Sequence, residues 1–218
     1  MDSEIIFPSL YPILDSSFLP PCGEERRIAL RTLVRDLVDV GVQILQYRNK
    51  PGSEAEILAD AREMRGAAGS GLKLILNDWP ELAVKAEFDG VHVGQGDTTP
   101  QTARQIVGQD RFVGVSTHKE VQLRAAELEP VDYIAIGPVF STSSKENPDP
   151  VVGLEGVRLA RSITRKPLVA IGGITLTTAA QVREAGADSL AVISAVFTRG
   201  RNPADAAKEF LRVLGRRL

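Results

Sequence analysis

The chain has 218 residues, 43% of them hydrophobic and 25% charged, with a formal net charge of −2. That length and apolar content suit a soluble domain with a substantial core. The slight acidity argues against a general binder of nucleic acid or anionic membranes, while leaving room for a local basic pocket. Cys22 is the sole cysteine, so no intrachain disulfide can form. The start, MDSEIIF, lacks a basic-then-apolar leader pattern. No apolar run approaches the ~18 residues that span a bilayer. These features lead us to expect a cytoplasmic protein without membrane or nucleic-acid partners.

Eight short apolar runs follow one another along the chain: LYPILD (10–15), VQILQY (42–47), LKLILN (72–77), GVHVG (90–94), RFVGVS (111–116), YIAIG (133–137), PLVAIGG (167–173) and SLAVIS (189–194). Most are continuously apolar rather than alternating, the pattern of parallel strands covered on both faces. Helical spacing fills the gaps, over 25–40, 53–67, 80–86, 99–107, 119–128, 155–163, 177–185 and 203–214. In the first helix Ile28, Leu30, Leu33, Val34, Leu37 and Val38 form one broad stripe, with Gly41 as a stop. Thr98 or Thr99 before Pro100 reads as a helix cap. Eight strand–helix units without an internal linker predict one α/β domain over 1–218, a TIM (β/α)8 barrel. The rival is an open doubly wound sheet, which is weakened because no G-x-G-x-x-G turn follows the first strand. The longest irregular segment, 138–153, follows strand six and is of a length more often functional than idle.

A barrel places its chemistry at the C-terminal ends of the strands. Gln46, Arg48 and Lys50 end strand two, and alternation points them one way. Asn77 and Asp78 end strand three, Asp97 follows strand four, and Ser116 to His118 end strand five. Thr142, Ser143, Ser144 and Lys145 follow strand six, Gly172 and Gly173 strand seven, and Ser194 strand eight. Asp78 and Asp97 are hard oxygen ligands suited to Mg²⁺ beside a phosphate. With no cysteine–histidine cluster, zinc is not expected. Arg48, Lys50 and Lys145 can surround a diphosphate. The glycines at 172–173 and the backbone at Ser194 suit a second phosphate. Each signal has a plainer reading: Asp78 or Asp97 as a helix cap, His92 as a bonded core histidine, His118 as a surface residue, Arg48 and Lys50 as a solvated strand end. The weight lies in their convergence on one rim.

The runs QYRNK, LND (76–78), GVHVGQGD (90–97), GVSTH (114–118), GPVFSTSSK (137–145), VAIGGI (169–174) and GADSLAVISAVF (186–197), in that order, resemble the thiamine phosphate synthase family over nearly the whole chain. The resemblance implies a transferase that joins a pyrimidine methyl diphosphate to a (carboxy)thiazole ethyl phosphate and requires Mg²⁺. It implies Gln46, Tyr47, Arg48, Asn49, Lys50, Asn77, Ser116 and Lys145 at the pyrimidine diphosphate, although alternation turns Tyr47 away from Gln46 and Arg48. It places Thr142, Ser143, Ser144, Gly173, Ile193 and Ser194 at the thiazole phosphate, and Asp78 and Asp97 on the metal. Arg48, Lys50, Lys145 and Ser116 are the implied catalytic residues. The reaction it implies is dissociative, with diphosphate leaving before the thiazole nitrogen attacks. Departures from the family pattern are Gly96 for Glu, Ser144 for Thr, Ser141 for Pro and Tyr47 for Leu. The rivals are a thiazole tautomerase acting through His118, a non-catalytic regulatory barrel that binds phosphorylated ligands, and a Schiff-base aldolase for which Lys50 and Lys73 are badly placed. The partners expected are the two small-molecule substrates; a homo-oligomer stays open.

Overall fold

A computed structural model describes residues 7–142 and 149–215. Within them eight parallel strands close into a barrel in sequence order, β1 pairing with β8. The strands are β1 (Leu10–Asp15), β2 (Ile44–Arg48), β3 (Lys73–Asn77), β4 (Gly90–Val93), β5 (Phe112–Thr117), β6 (Tyr133–Ile136), β7 (Leu168–Ile171) and β8 (Ser189–Val192). The helices are α1 (Gly23–Asp39), α2 (Glu54–Ala68), α3 (Pro80–Lys85), α4 (Pro100–Val107), α5 (Glu120–Leu128), α6 (Gly153–Ile163), α7 (Ala179–Glu184) and α8 (Pro203–Val213). Closure of the barrel rules out the open sheet.

Alternation divides the strand residues between two cores. Leu14, Leu45, Leu76, Val91, Val115, Ile136 and Leu190 face outward and pack beneath the helices. Tyr11, Ile13, Ile44, Ile75, Tyr133, Ala135, Val169 and Ala191 face the barrel axis. Because both faces are buried, the strands read as continuous apolar runs. Phe7 closes the lower end of the axis, its ring 4.9 Å from that of Tyr133 and 6.5 Å from that of Phe112. Above this layer the inward residues are smaller or polar, so the barrel opens into a cavity.

Local rules account for several helix ends. Ser53 caps α2 and receives Glu56 in return, a capping box. Thr99 caps α4 ahead of Pro100. The α1 stripe is narrower than expected: Leu30, Val34 and Leu37 are buried, but Ile28 is 51% exposed.

One device recurs at the N-terminal end of the barrel. Asp89, Asp132 and Asp188 each stand just before an even strand. Each carboxylate accepts the amide of the preceding strand's early residue: Leu74 (2.9 Å), Val113 (2.6 Å) and Leu168 (2.8 Å). Each also takes an arginine from the helix that leads into that preceding strand, respectively Arg65 of α2, Arg104 of α4 and Arg161 of α6. The aspartate thereby ties two strands and a helix together, at the face where barrels place stability rather than chemistry.

Candidate active site

The cavity lies at the C-terminal ends of the strands and has a volume of about 1160 Å³. Of the residues expected there, Gln46, Arg48, Lys50, Asn77, Asp78, Asp97, Ser116, Thr142, Gly173, Ile193 and Ser194 line it. Ser143, Ser144 and Lys145 lie outside the described residues. Tyr47 and Asn49 are not brought to the cavity, which corrects their implied placement at the pyrimidine diphosphate; Tyr47 points away, as the alternation expects. Tyr47 is fully buried on the outer face, its hydroxyl bonded to Asp60 and to Arg26. Asn49 accepts from the Ser16 hydroxyl at 2.8 Å. The cause is the two-residue period, which sends 46 and 48 inward and 47 and 49 outward.

Cations stand at one side of the mouth. Arg48 is paired with Asp15 at the matching position of β1. Burial pushes the Asp15 carboxyl up, but Ser17 and Arg48 together hold it below the usual carboxylate range. Lys50 Nζ is 3.0 Å from Asp78. Asp15 lies on the same rim and was missed in the sequence, although its place at the end of β1 is the signal that found the others.

Asp78 is not a helix cap: Trp79 precedes α3, and Asp78 has φ 71°. Such a left-handed conformation is uncommon for a residue with a side chain, and it aims the carboxylate into the cavity mouth. There it meets the Asp97 carboxylate, whose own Oδ2 accepts the Gly94 amide at 2.8 Å. Burial raises the Asp78 carboxyl above its ordinary range; Lys50 pulls it back and Asp97 pushes it up again. Two acids held together in this way are the donor set for a small divalent cation, whose charge would relieve their repulsion. No group of three or more acidic, histidine or cysteine side chains suited to a metal occurs among the described residues.

The opposite side is backbone. Gly173 has φ 63°, and a Cβ there would sit 2.5 Å from the Ser141 carbonyl oxygen. Only glycine lets the turn after β7 approach the segment after β6 so closely. The amides of Gly173, Ser194 and Ala195 make no hydrogen bond to another described residue. Unspent amides lining a cavity are anion-binding groups.

The floor holds groups that the sequence reading left open or missed. His92 lies between Tyr133 and Ser116, with its Nδ1 3.0 Å from the phenol and its Nε2 2.8 Å from Ser116 Oγ. Tyr11 bonds Tyr133 and Gln46. In sequence the two tyrosines read only as apolar strand residues. His118, expected nearer the surface, is part-buried and lines the cavity, its Nδ1 2.6 Å from the Gly137 carbonyl.

The chain is similar to known proteins over most of its length. The family model for thiamine monophosphate synthase matches residues 10–196. A thiamine-phosphate synthase of Koribacter versatilis is 49% identical over 214 residues, covering 98% of this chain and 99% of that protein. Another, from Agrobacterium fabrum, is 42% identical over 176 residues, 78% of this chain and 80% of the relative. Among solved structures, a thiamine phosphate pyrophosphorylase of Pyrococcus furiosus superposes with a TM-score of 0.81 at 28% identity, covering 94% of this chain and 95% of the other.

Proposed function

Since the chain belongs to the thiamine monophosphate synthase family, we propose that it joins a pyrimidine methyl diphosphate to a thiazole ethyl phosphate, releasing diphosphate. Membership makes it a transferase of thiamine biosynthesis. The single observation that carries the choice of substrates is the division of the cavity mouth: side-chain cations and paired acids on one side, unspent backbone amides on the other. Two differently bound phosphate groups fit that division.

On this reading Arg48, Lys50 and Lys145 bind the diphosphate and stabilise the negative charge that grows on it as the carbon–oxygen bond breaks. Asp15 keeps the Arg48 guanidinium in place. Asp78 and Asp97 would hold Mg²⁺, whose charge would add to that stabilisation. Gln46, Asn77 and Ser116 orient the pyrimidine ring. Gly173, Ile193, Ser194 and Thr142, with Ser143 and Ser144, hold the thiazole phosphate so that the ring nitrogen faces the methylene carbon. Such placement replaces a chance encounter with a positioned one, and no protein nucleophile is needed. The enzyme works in the cytoplasm on this reading.

The tautomerase reading does not use the cations or the paired acids, and the regulatory reading predicts ligand binding without product. Purified protein mixed with both substrates, with Mg²⁺ or with chelator, separates the three. Equal amounts of thiamine phosphate and diphosphate, formed only with Mg²⁺, are expected. Binding of the thiazole phosphate without product would sink the synthase reading. Lys145→Ala is expected to lower turnover by ~10²-fold, as removal of one preorganised donor does; turnover within about threefold of wild type would take Lys145 out of the mechanism.

A further inference from the structure

Beneath the cavity, Gln46 and Ser116 are joined by one run of buried polar groups. Gln46 Nε2 donates to the Tyr11 hydroxyl at 3.0 Å, and the Tyr11 and Tyr133 hydroxyls are 2.8 Å apart. Tyr133 is 3.0 Å from His92 Nδ1, and His92 Nε2 is 2.8 Å from Ser116 Oγ. Five different strands supply these groups. The tyrosines are 1% and 0% exposed, so bulk water does not stand in for a missing partner.

Each phenol carries one hydrogen, and the direction of the run follows from counting them. The Tyr11 oxygen accepts from Gln46, and its hydrogen has one acceptor among the described residues, the Tyr133 oxygen. The Tyr133 hydrogen therefore goes to His92 Nδ1. The neutral imidazole then carries its proton on Nε2 and donates to Ser116. The Ser116 hydrogen is left for the cavity, and so is the Gln46 carbonyl oxygen. Burial pushes both phenols well above their ordinary range, which keeps them protonated.

We propose that this Gln46–Tyr11–Tyr133–His92–Ser116 run sets the specificity of the site, by presenting an acceptor at Gln46 and a donor at Ser116 to a heterocycle with an amino group beside a ring nitrogen. The inference rests on the synthase reading and sharpens it. An oxo heterocycle offers a carbonyl and a ring N–H instead. It opposes both ends, and it fits only if the Gln46 amide turns over and every bond in the run reverses. Tyr11 and Tyr133 are thus positioning residues that act through Gln46 and His92.

The test has two arms. The first is ¹⁵N NMR of the wild-type imidazoles, assigned with His118→Asn, since the chain has 2 histidines. His92 is expected to show a protonated Nε2 and a bare Nδ1. For His118, whose Nδ1 must donate to the Gly137 carbonyl, a proton on Nδ1 is expected. The second arm measures kcat and KM for the aminopyrimidine methyl diphosphate and its oxo counterpart. Wild type is expected to favour the amino form by about hundredfold in kcat/KM, the worth of two mispaired hydrogen bonds. Tyr133→Phe and Tyr11→Phe, which keep the ring and lose the hydroxyl, are expected to cut that preference by about tenfold, through KM for the pyrimidine and not for the thiazole phosphate. A proton on His92 Nδ1 overturns the direction of the run. An unchanged amino-to-oxo preference in both variants overturns its role. If wild type makes no thiamine phosphate, the synthase reading fails, and the tautomer alone then decides the run.

Discussion

Gly114 owes its lack of a side chain to Tyr133. A Cβ at that position would lie 2.0 Å from the Tyr133 Cζ and 2.4 Å from its hydroxyl oxygen. The two residues are paired across β5 and β6, so the inward ring crosses the axis over the glycine. Gly114→Ala is therefore expected to displace the phenol, cost about 1–3 kcal/mol as overpacked cores do, and raise KM for the pyrimidine more than it lowers kcat. Denaturant unfolding and steady-state kinetics would check both; stability and KM equal to wild type would mean that Tyr133 has room to spare. Gly114 sits inside the quoted motif GVSTH, yet its reason cannot be read there. Its partner Tyr133 is 19 residues on in sequence and meets it only through strand pairing. Asp78 shows the same limit: its type suggested a metal ligand or a cap, and only the backbone, with Asp78 at φ 71° and Trp79 at the helix cap, excluded the cap.

At the scale of elements, the strands were legible because continuous apolar runs have few alternatives when both faces are covered. The short helices were harder. α3 and α7 have 6 residues each, too few turns for periodicity to mark their ends, and the expected 177–185 helix overran α7. The three aspartates that lock strand pairs were invisible, since Asp before a strand reads as an ordinary turn residue. Their physics is open to test through Asp89. Burial pushes its carboxyl up, but Arg65, the Leu74 amide and Lys73 outweigh that and hold it below the usual range. A carboxyl depressed on folding contributes its full stability above the unfolded value of about 4 and loses it as pH falls through the lower folded value. Wild type is therefore expected to melt well above Asp89→Asn at neutral pH, with the difference shrinking as the pH is lowered below about 4. A gap independent of pH would show that the aspartate acts by shape and not by charge.

Over the whole molecule the barrel separates its tasks by end. The N-terminal face carries Arg104 and Asp132, the former only 7% exposed and held also by the carbonyls of Gly108, Arg111 and Pro130. Asp132→Ala leaves that guanidinium without its counter-charge and is expected to cost about 3 kcal/mol, or a fall in Tm of about 6–12 °C, with KM for both substrates nearly unchanged. Lys50 stands at the other end, its side chain 51% exposed, and its pair with Asp78 contributes little to folding. Lys50→Ala is expected to lower turnover by about 10²-fold and to move Tm by no more than about 2 °C. Calorimetry and kinetics on the two variants would reveal a crossover of effects; a Lys50 variant that melts early but turns over normally would reverse the assignment of the two ends.

Local pattern alone was enough to predict the barrel, the rim on which the cavity opens and most of the polar groups that line it. Those follow from local regularities: a two-residue period, apolar runs of strand length and polar residues at strand ends. Only the tertiary structure decided which of those groups meet. It brought Asp15 to Arg48 and Asp78 to Asp97, and linked Gln46 to Ser116 through two tyrosines and a histidine. Those contacts join strands far apart in the chain, and their distances are set by barrel closure and strand register, which no local pattern encodes.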